Sequence, residues 1–174
     1  MREALDWIKD IAIAIIIAVV ILSFFKPIII QQESMQPNFF SGDYVVVSRQ
    51  AYTLFGDVEH GDVIVFRSNL LDEEGNPKHL IKRIIGIPGD TIEIVDGTVI
   101  RNGERLDEPY ISEKGMSGEM SPIIVEEGKL FVMGDNRGVS QDSRSQTIGQ
   151  VDQETIVGKV VIRIFPFNRF KLFP

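Results

Sequence analysis

This 174-residue chain carries two histidines, His60 and His79, and no cysteine, which narrows the nucleophilic chemistry open to it. Without Cys there is no thiolate nucleophile, disulfide, thiolate metal site or iron–sulfur cluster. A Ser-His-Asp arrangement would need one of the two His, yet His60 precedes a Gly-Asp turn and His79 ends a polar stretch. Imidazoles in such places are usually solvated. Asp135–Gln146 has the outline of a calcium loop, but its sixth position is Ser140 rather than Gly and its twelfth is Gln146 rather than Glu. No metal site is expected there. The patterns GxxxxGK[ST], GxGxxG and HExxH are absent, so no cofactor is expected either.

Ser34 and Lys82 remain. Ser34 stands in Gln32-Glu33-Ser34-Met35-Gln36-Pro37, just after the apolar run Ile28-Ile29-Ile30. An isolated serine there is ordinarily a turn or cap residue. Lys82 stands in His79-Leu80-Ile81-Lys82-Arg83-Ile84-Ile85-Gly86. A lysine desolvated among apolar neighbours drops below its usual pKa of about 10.4 and becomes a general base. On a strand, Lys82 shares a face with Leu80 and Ile84, and Arg83 shares the other with Ile81 and Ile85. Parity alone does not say which cation is buried, and an edge-strand lysine placed against aggregation is the alternative.

The elements that must position these residues fall into two parts. Residues 1–30 hold three basic and three acidic groups, so the whole net charge of −7 lies in residues 31–174. An acidic body argues against nucleic acid as a partner. From Ile11 to Phe25 no residue is charged and only Ser23 is not apolar. Extended back through Ile8, Trp7 and Leu5, this reads as a transmembrane helix of about 20 residues, ended by Pro27, with Trp7 at the interface and Lys9 and Lys26 reaching outward. A cleavable signal peptide would need a small-residue site where the chain reads Phe24-Phe25-Lys26-Pro27. A buried core helix is the other alternative.

After Pro27 the period changes. Tyr44–Val47, Val63–Phe66, Leu80–Ile87, Thr91–Val95, Thr98–Arg101, Lys129–Met133 and Lys159–Phe165 are short β-branched or aromatic runs bounded by turn residues. Asp96-Gly97 and Asn102-Gly103 read as hairpin turns. Ser68–His79 and Ser112–Pro122 read as surface loops. Gly-Asp steps (Gly42-Asp43, Gly61-Asp62, Gly89-Asp90, Gly134-Asp135) read as turn punctuation. The expected fold is mainly β: a Greek-key or barrel-like antiparallel body with one N-terminal transmembrane helix.

The anchor, Ser34-Met35-Gln36-Pro37, Gly42-Asp43, Gly61-Asp62-Val63-Ile64-Val65-Phe66, Lys82–Asp90 and Gly134–Arg144 occur in an order that resembles the bacterial type I signal peptidases over nearly the whole chain. The resemblance implies a Ser-Lys dyad protease that removes signal peptides from exported preproteins. Ser34 would be the nucleophile and Lys82 the general base, with no His required. Ser140 would orient the Lys82 amine by a hydrogen bond. Asp142 and Arg144 would form a supporting ion pair, with Asp135 nearby. The Ser34 N–H would be one oxyanion donor, and Gln32 is expected to replace the small polar donor that many members carry at its position. Substrate-pocket positions map to Ile28, Ile30, Met35, Phe39 and Ile81, for substrates of Ala-x-Ala type. Phe39 and Asn38 depart from the commoner Leu and Thr, which predicts a tighter preference for Ala or Gly.

The resemblance also divides the chain into a cytoplasmic stub and anchor (1–27) and an extracytoplasmic catalytic body (28–174), with a small β subdomain within 97–124. It implies a monomer, single-pass in a bacterial cell membrane. Its partners would be preprotein signal peptides, the lipid bilayer and, transiently, the secretion machinery. Two alternatives are a self-cleaving SOS-type repressor, which would need a DNA-binding domain in place of the anchor, and a catalytically dead β module. Phe165, Phe167, Phe170 and Phe173 read as core packing at the C-terminus, with contact to the bilayer as the alternative.

Overall fold

The computed structural model describes residues 2–54, 56–111 and 118–173. Helix α1 runs Arg2–Phe24. Its span Asp6–Phe24 has a mean hydropathy of 2.4, and none of the residues in its apolar window is buried against the body. That overturns the core-helix alternative, because a core helix packs against the chain. Nineteen residues reach about 28 Å, close to the hydrocarbon thickness of a bilayer. The one hydroxyl in the apolar stretch, Ser23 Oγ, donates back to Val19 O at 2.7 Å and is thereby satisfied without water.

The helix stops at Phe24, earlier than Pro27 suggested, and the chain passes directly into strand β1 (Phe25–Ile29). Proline holds the residue before it extended, and it is tolerated in β1 because β1 is an edge strand. Lys26 therefore belongs to the body and not to the span.

The remaining strands are β2 (Tyr44–Ser48), β3 (Val63–Leu71), β4 (Pro77–Gly86), β5 (Thr91–Val95), β6 (Thr98–Arg101), β7 (Glu104–Arg105), β8 (Met120–Ile124), β9 (Lys129–Met133), β10 (Val151–Asp152), β11 (Ile156–Phe165) and β12 (Lys171–Leu172). All pairings are antiparallel. The large sheet runs β1-β2-β11-β3-β4-β9-β10 with β12 on β11, and the small sheet runs β7-β6-β5-β8. The late strand β11 lies between β2 and β3, so the order is not a simple meander.

Strands β3 and β4 are buried on both faces, which explains their unbroken apolar runs. Val63, Val65 and Ile81 enter one core cluster with Val45, Val47 and Val160. Ile64, Phe66, Leu80 and Ile84 enter a second with Leu130 and Val132. The small sheet docks through a third, where Ile92, Ile94 and Val99 meet Ile85, Phe131 and Met133. It begins at Thr91, ahead of the 97–124 boundary read from the sequence.

Asp96 (φ 48°) with Gly97 (φ 71°), and Asn102 (φ 56°) with Gly103 (φ 81°), adopt the left-handed geometry that two-residue hairpin turns demand. The loop expected at Ser68–His79 is narrower. Strands β3 and β4 extend into it, leaving a turn over 72–76 in which Asp72 Oδ1 accepts from the Glu74 and Asn76 N–H groups. These bonds hold the Asp72 carboxyl below its usual range. The second expected loop, Ser112–Pro122, contains the start of β8; residues 112–117 lie outside the described residues.

The Gly-Asp steps do more than punctuate. All four aspartates are buried, and each staples its turn to a distant element. Asp43 pairs with Arg163 and Arg169, Asp62 with Lys159 and Tyr52, Asp90 with His60 and Asn102, and Asp135 with Arg83.

Candidate active site

Ser34 lies in a turn between β1 and β2. Met35 and Phe39 are fully buried, and the N–H groups of Asn38 and Phe39 both donate to Met35 O. The turn is thus pinned into the core on either side, and Ser34 is 7% exposed. The carbonyl of Ser34 accepts the Asn136 N–H at 2.9 Å, while its own N–H donates to no other described residue.

Lys82 approaches from β4, opposite Ile64 of β3, with 1% of its surface exposed. Its Nζ stands 2.7 Å from Ser34 Oγ and donates to Ile81 O at 3.0 Å. Burial pushes the ammonium down to about 8; Asp142 and Asp135 oppose that shift and Arg144 adds to it. No carboxylate forms an ion pair with Lys82 among the described residues. An amine with its proton loosened in this way, placed against a hydroxyl, is the pairing that lets a base remove the nucleophile's proton.

The parity question has a double answer, because Lys82 is buried and Arg83 is half-buried, with 12% of its side chain exposed. Arg83, on the opposite face, holds Asp135 through Nε at 2.8 Å and Nη2 at 2.7 Å, and donates through Nη1 to Gly61 O. Asp135 therefore belongs to Arg83 rather than to the Asp142–Arg144 pair. It also accepts from Asn38 Nδ2 at 2.8 Å. Asp142 and Arg144 do pair, at 2.8 Å, and Asp142 Oδ2 accepts the Gly134 N–H at 2.9 Å. Arg144 Nη2 also donates to the carbonyls of Arg137 and Ser140.

Ser140 Oγ is buried and has no hydrogen-bond partner among the described residues. The bond to Lys82 implied by the resemblance is not made; the amine donates to Ser34 Oγ and Ile81 O. Ser140 instead packs on Gly134, where an added Cβ would collide with Ser140 and with the Ser34 carbonyl.

A cleft of about 390 Å³ opens on Ser34 and Lys82, with Gln32, Lys78, Leu80 and Val139 among its walls. It shares Gln32, Lys78 and Leu80 with a longer groove of about 610 Å³. Ile28, Ile30 and Ile81 line that groove. Met35 and Phe39 line neither space. Phe39 is stacked on Phe173 at 4.8 Å, inside the core. Both are core residues rather than pocket residues, and the specificity argued from Phe39 loses its basis.

One side of the groove is the free edge of β1. The other is β4, which β9 covers only from Arg83 to Gly86 and leaves open from Pro77 to Lys82. Neither His bonds Ser34. His60 pairs with Asp90 at 2.6 Å. His79 lies on the groove rim, its pKa lowered by burial and by Lys26 and Arg67. Phe173 packs in the core as expected, whereas Phe165, Phe167 and Phe170 are exposed.

Sequence reasoning missed Arg83, Asn38, Arg137, Glu108 and Tyr110. Arg83 carried a signal as the second cation in an apolar run, Asn38 stood out only as a departure from the commoner Thr, Arg137 only as part of the Gly134–Arg144 block, and Glu108 and Tyr110 carried none.

Known proteins resemble this chain over most of its length. Residues 4–165 match the family model described as signal peptidase, peptidase S26. A signal peptidase I of Bacillus licheniformis is 35% identical over 95% of this chain and 91% of its own. A signal peptidase IB of Staphylococcus aureus (strain COL) is 36% identical over 98% and 94%. A crystal structure of a signal peptidase I from Enterococcus faecalis is 32% identical, with a TM-score of 0.48 over 59% of this chain and 96% of that one.

Proposed function

The chain belongs to the peptidase S26 family of signal peptidases, hydrolases that cleave signal peptides from preproteins, and from that premise we propose that Ser34 and Lys82 carry the reaction as a dyad. The observation that supports this most is the 2.7 Å approach to a serine hydroxyl of a buried lysine amine that has no ion-pair partner among the described residues.

In its neutral form Lys82 accepts the proton of Ser34 Oγ as that oxygen attacks the scissile carbonyl. The oxyanion takes a hydrogen bond from the Ser34 N–H, which is otherwise uncommitted, and one from the Gln32 side-chain amide in the same cleft. The Lys82 ammonium then protonates the leaving amine, the acyl group stays on Ser34 Oγ, and Lys82 deprotonates the water that releases it. Ser140 is the group assigned to receive the amine when it turns away from Ile81 O. Its buried, unpaired Oγ is the kind of polar atom that needs a partner at some stage.

The preprotein enters the groove as an extended strand between the free edge of β1 and the open stretch of β4, adding main-chain bonds to both. Ile28, Ile30 and Ile81 form apolar walls that favour Ala-x-Ala side chains. Both members of the dyad come from one chain, so a monomer has a complete site.

Helix α1 would hold the enzyme in the bacterial membrane with its N-terminus cytoplasmic, residues 28–174 outside, and encounters with the secretion machinery transient. The apolar, unpacked span supports this, as do the exposed rings of Phe165, Phe167 and Phe170.

Detergent-solubilised protein should cleave a preprotein, with kcat/KM rising as pH passes about 8. Ser34→Ala and Lys82→Ala should each abolish cleavage, and undiminished cleavage by either one removes the dyad.

A further inference from the structure

The small sheet lies away from Ser34 and Lys82, yet the loop leaving it reaches the supports of both. Glu108 and Tyr110 lie in that loop. The Arg137 side chain is 2% exposed and that of Glu108 is 7%, so their ion pair is buried. Both guanidinium Nη atoms of Arg137 donate to the Glu108 carboxylate, Nη1 at 2.9 Å, and Arg137 Nε donates to Gly134 O at 3.1 Å. Gly134 is the residue packed against the Ser34 carbonyl and Ser140.

Tyr110 carries the connection to the other two supports. Its hydroxyl donates to Glu108 Oε1 at 2.8 Å. Its ring lies under the Arg83 guanidinium, 4.2 Å from carbon to centroid. Its carbonyl accepts from Asn38 Nδ2, which also holds Asp135. Three groups converge on this loop: Arg83, next to Lys82 on β4; Asn38, in the Ser34 turn; and Arg137, in the loop that bonds the Ser34 carbonyl.

We propose that Glu108–Tyr110 is a brace that sets the distance between Ser34 and Lys82, with Glu108 and Tyr110 as positioning residues; the proposal rests on the dyad reading above. The brace is not what attaches the small sheet, because Ile92, Ile94 and Val99 already dock that sheet on Ile85, Phe131 and Met133. A polar link made in addition to an apolar dock constrains geometry. Without the carboxylate, Arg137 is left buried with no counter-ion and must move toward water, releasing Gly134 O. Displacing a reacting group by about an ångström costs on the order of 100-fold in rate.

The test uses the full chain in detergent and two readouts. In Glu108→Ala, kcat should fall about 10–100-fold, the scale of a misplaced reacting group, with KM within about twofold. Glu108→Gln keeps the shape and one acceptor but not the counter-charge, so kcat should recover only in part, to a value between those of Glu108→Ala and wild type. Tyr110→Phe removes one hydroxyl without endangering the fold, and should cost about 2–5-fold, the scale of one hydrogen bond.

Hydrogen exchange is the second readout. The Asn136 and Gly134 amides, which donate to Ser34 O and Asp142, should lose protection in Glu108→Ala, while amides of β3 and β4 keep theirs. Unchanged kcat, a KM that rises in step with the loss, or unchanged protection at Gly134 and Asn136 overturns the brace. Ser34→Ala is run alongside. Cleavage that survives in it overturns the dyad, and the exchange result still decides the brace.

Discussion

The two faces of strand β4 carry adjacent cations with opposite fates. Arg83 has a carboxylate on two of its nitrogens, a carbonyl on the third and an aromatic ring against its plane. Lys82, one residue earlier, has a hydroxyl, a carbonyl and no ion-pair partner among the described residues. A buried charge survives only if it is paired, and otherwise the group neutralises. Arg83 therefore keeps its partners and holds structure, whereas Lys82 sheds its proton near pH 8 and is free to take another. The chemistry depends on the paired face as much as on the unpaired one, since the paired face fixes where the amine lies.

The largest expected effect comes from giving the unpaired face a cation that cannot neutralise. Lys82→Arg keeps charge and length but cannot act as a base, and cleavage should fall at least ~1,000-fold, as when a member of a catalytic set is lost. Activity within about tenfold of wild type would show that a positive charge, not a base, is what the site needs.

Next comes the paired face. Asp135→Asn leaves the Arg83 guanidinium, 12% exposed, without its counter-charge. Breaking such a pair should lower unfolding stability by roughly 3 kcal/mol in a denaturant titration. A change under about 1 kcal/mol would mean that Arg83 is no more committed than a surface ion.

A smaller effect sharpens the account of the cleft. Gln32→Ala should lower kcat about 10–100-fold if its amide stabilises the oxyanion, and an unchanged kcat removes that role.

These residues differ in how legible they were. Ser34 and Lys82 were only candidates on their local signals, a serine before a proline and a cation in an apolar run, and the resemblance to the signal peptidases is what gave them roles. Arg83 was visible as a residue but not as a partner, because strand parity treats both faces alike until a second strand covers them. Met35 and Phe39 were misassigned because they are buried by β2, β11 and Phe173, contacts that no local window contains. Glu108 and Arg137 are 29 positions apart, and nothing in either neighbourhood marks them as a pair.

The fold behaves the same way. Hairpins turned by Asp96-Gly97 and Asn102-Gly103 were readable from dipeptides. Strand β1 was not, because five residues with a proline, directly after an apolar helix, carry no period of their own. The Gly-Asp steps were seen as turns, but their ion-pair partners lie 30 to 126 positions away, beyond any turn rule.

Base catalysis by Lys82 requires an amine that loses its proton near pH 8, well below the ordinary lysine value. The direct measurement is an NMR titration of the Lys82 ε-methylene in 13C-lysine-labelled protein, assigned by its loss in Lys82→Met. A midpoint near 8 is the expected result, and a midpoint at the ordinary lysine value of 10.5 would contradict the account.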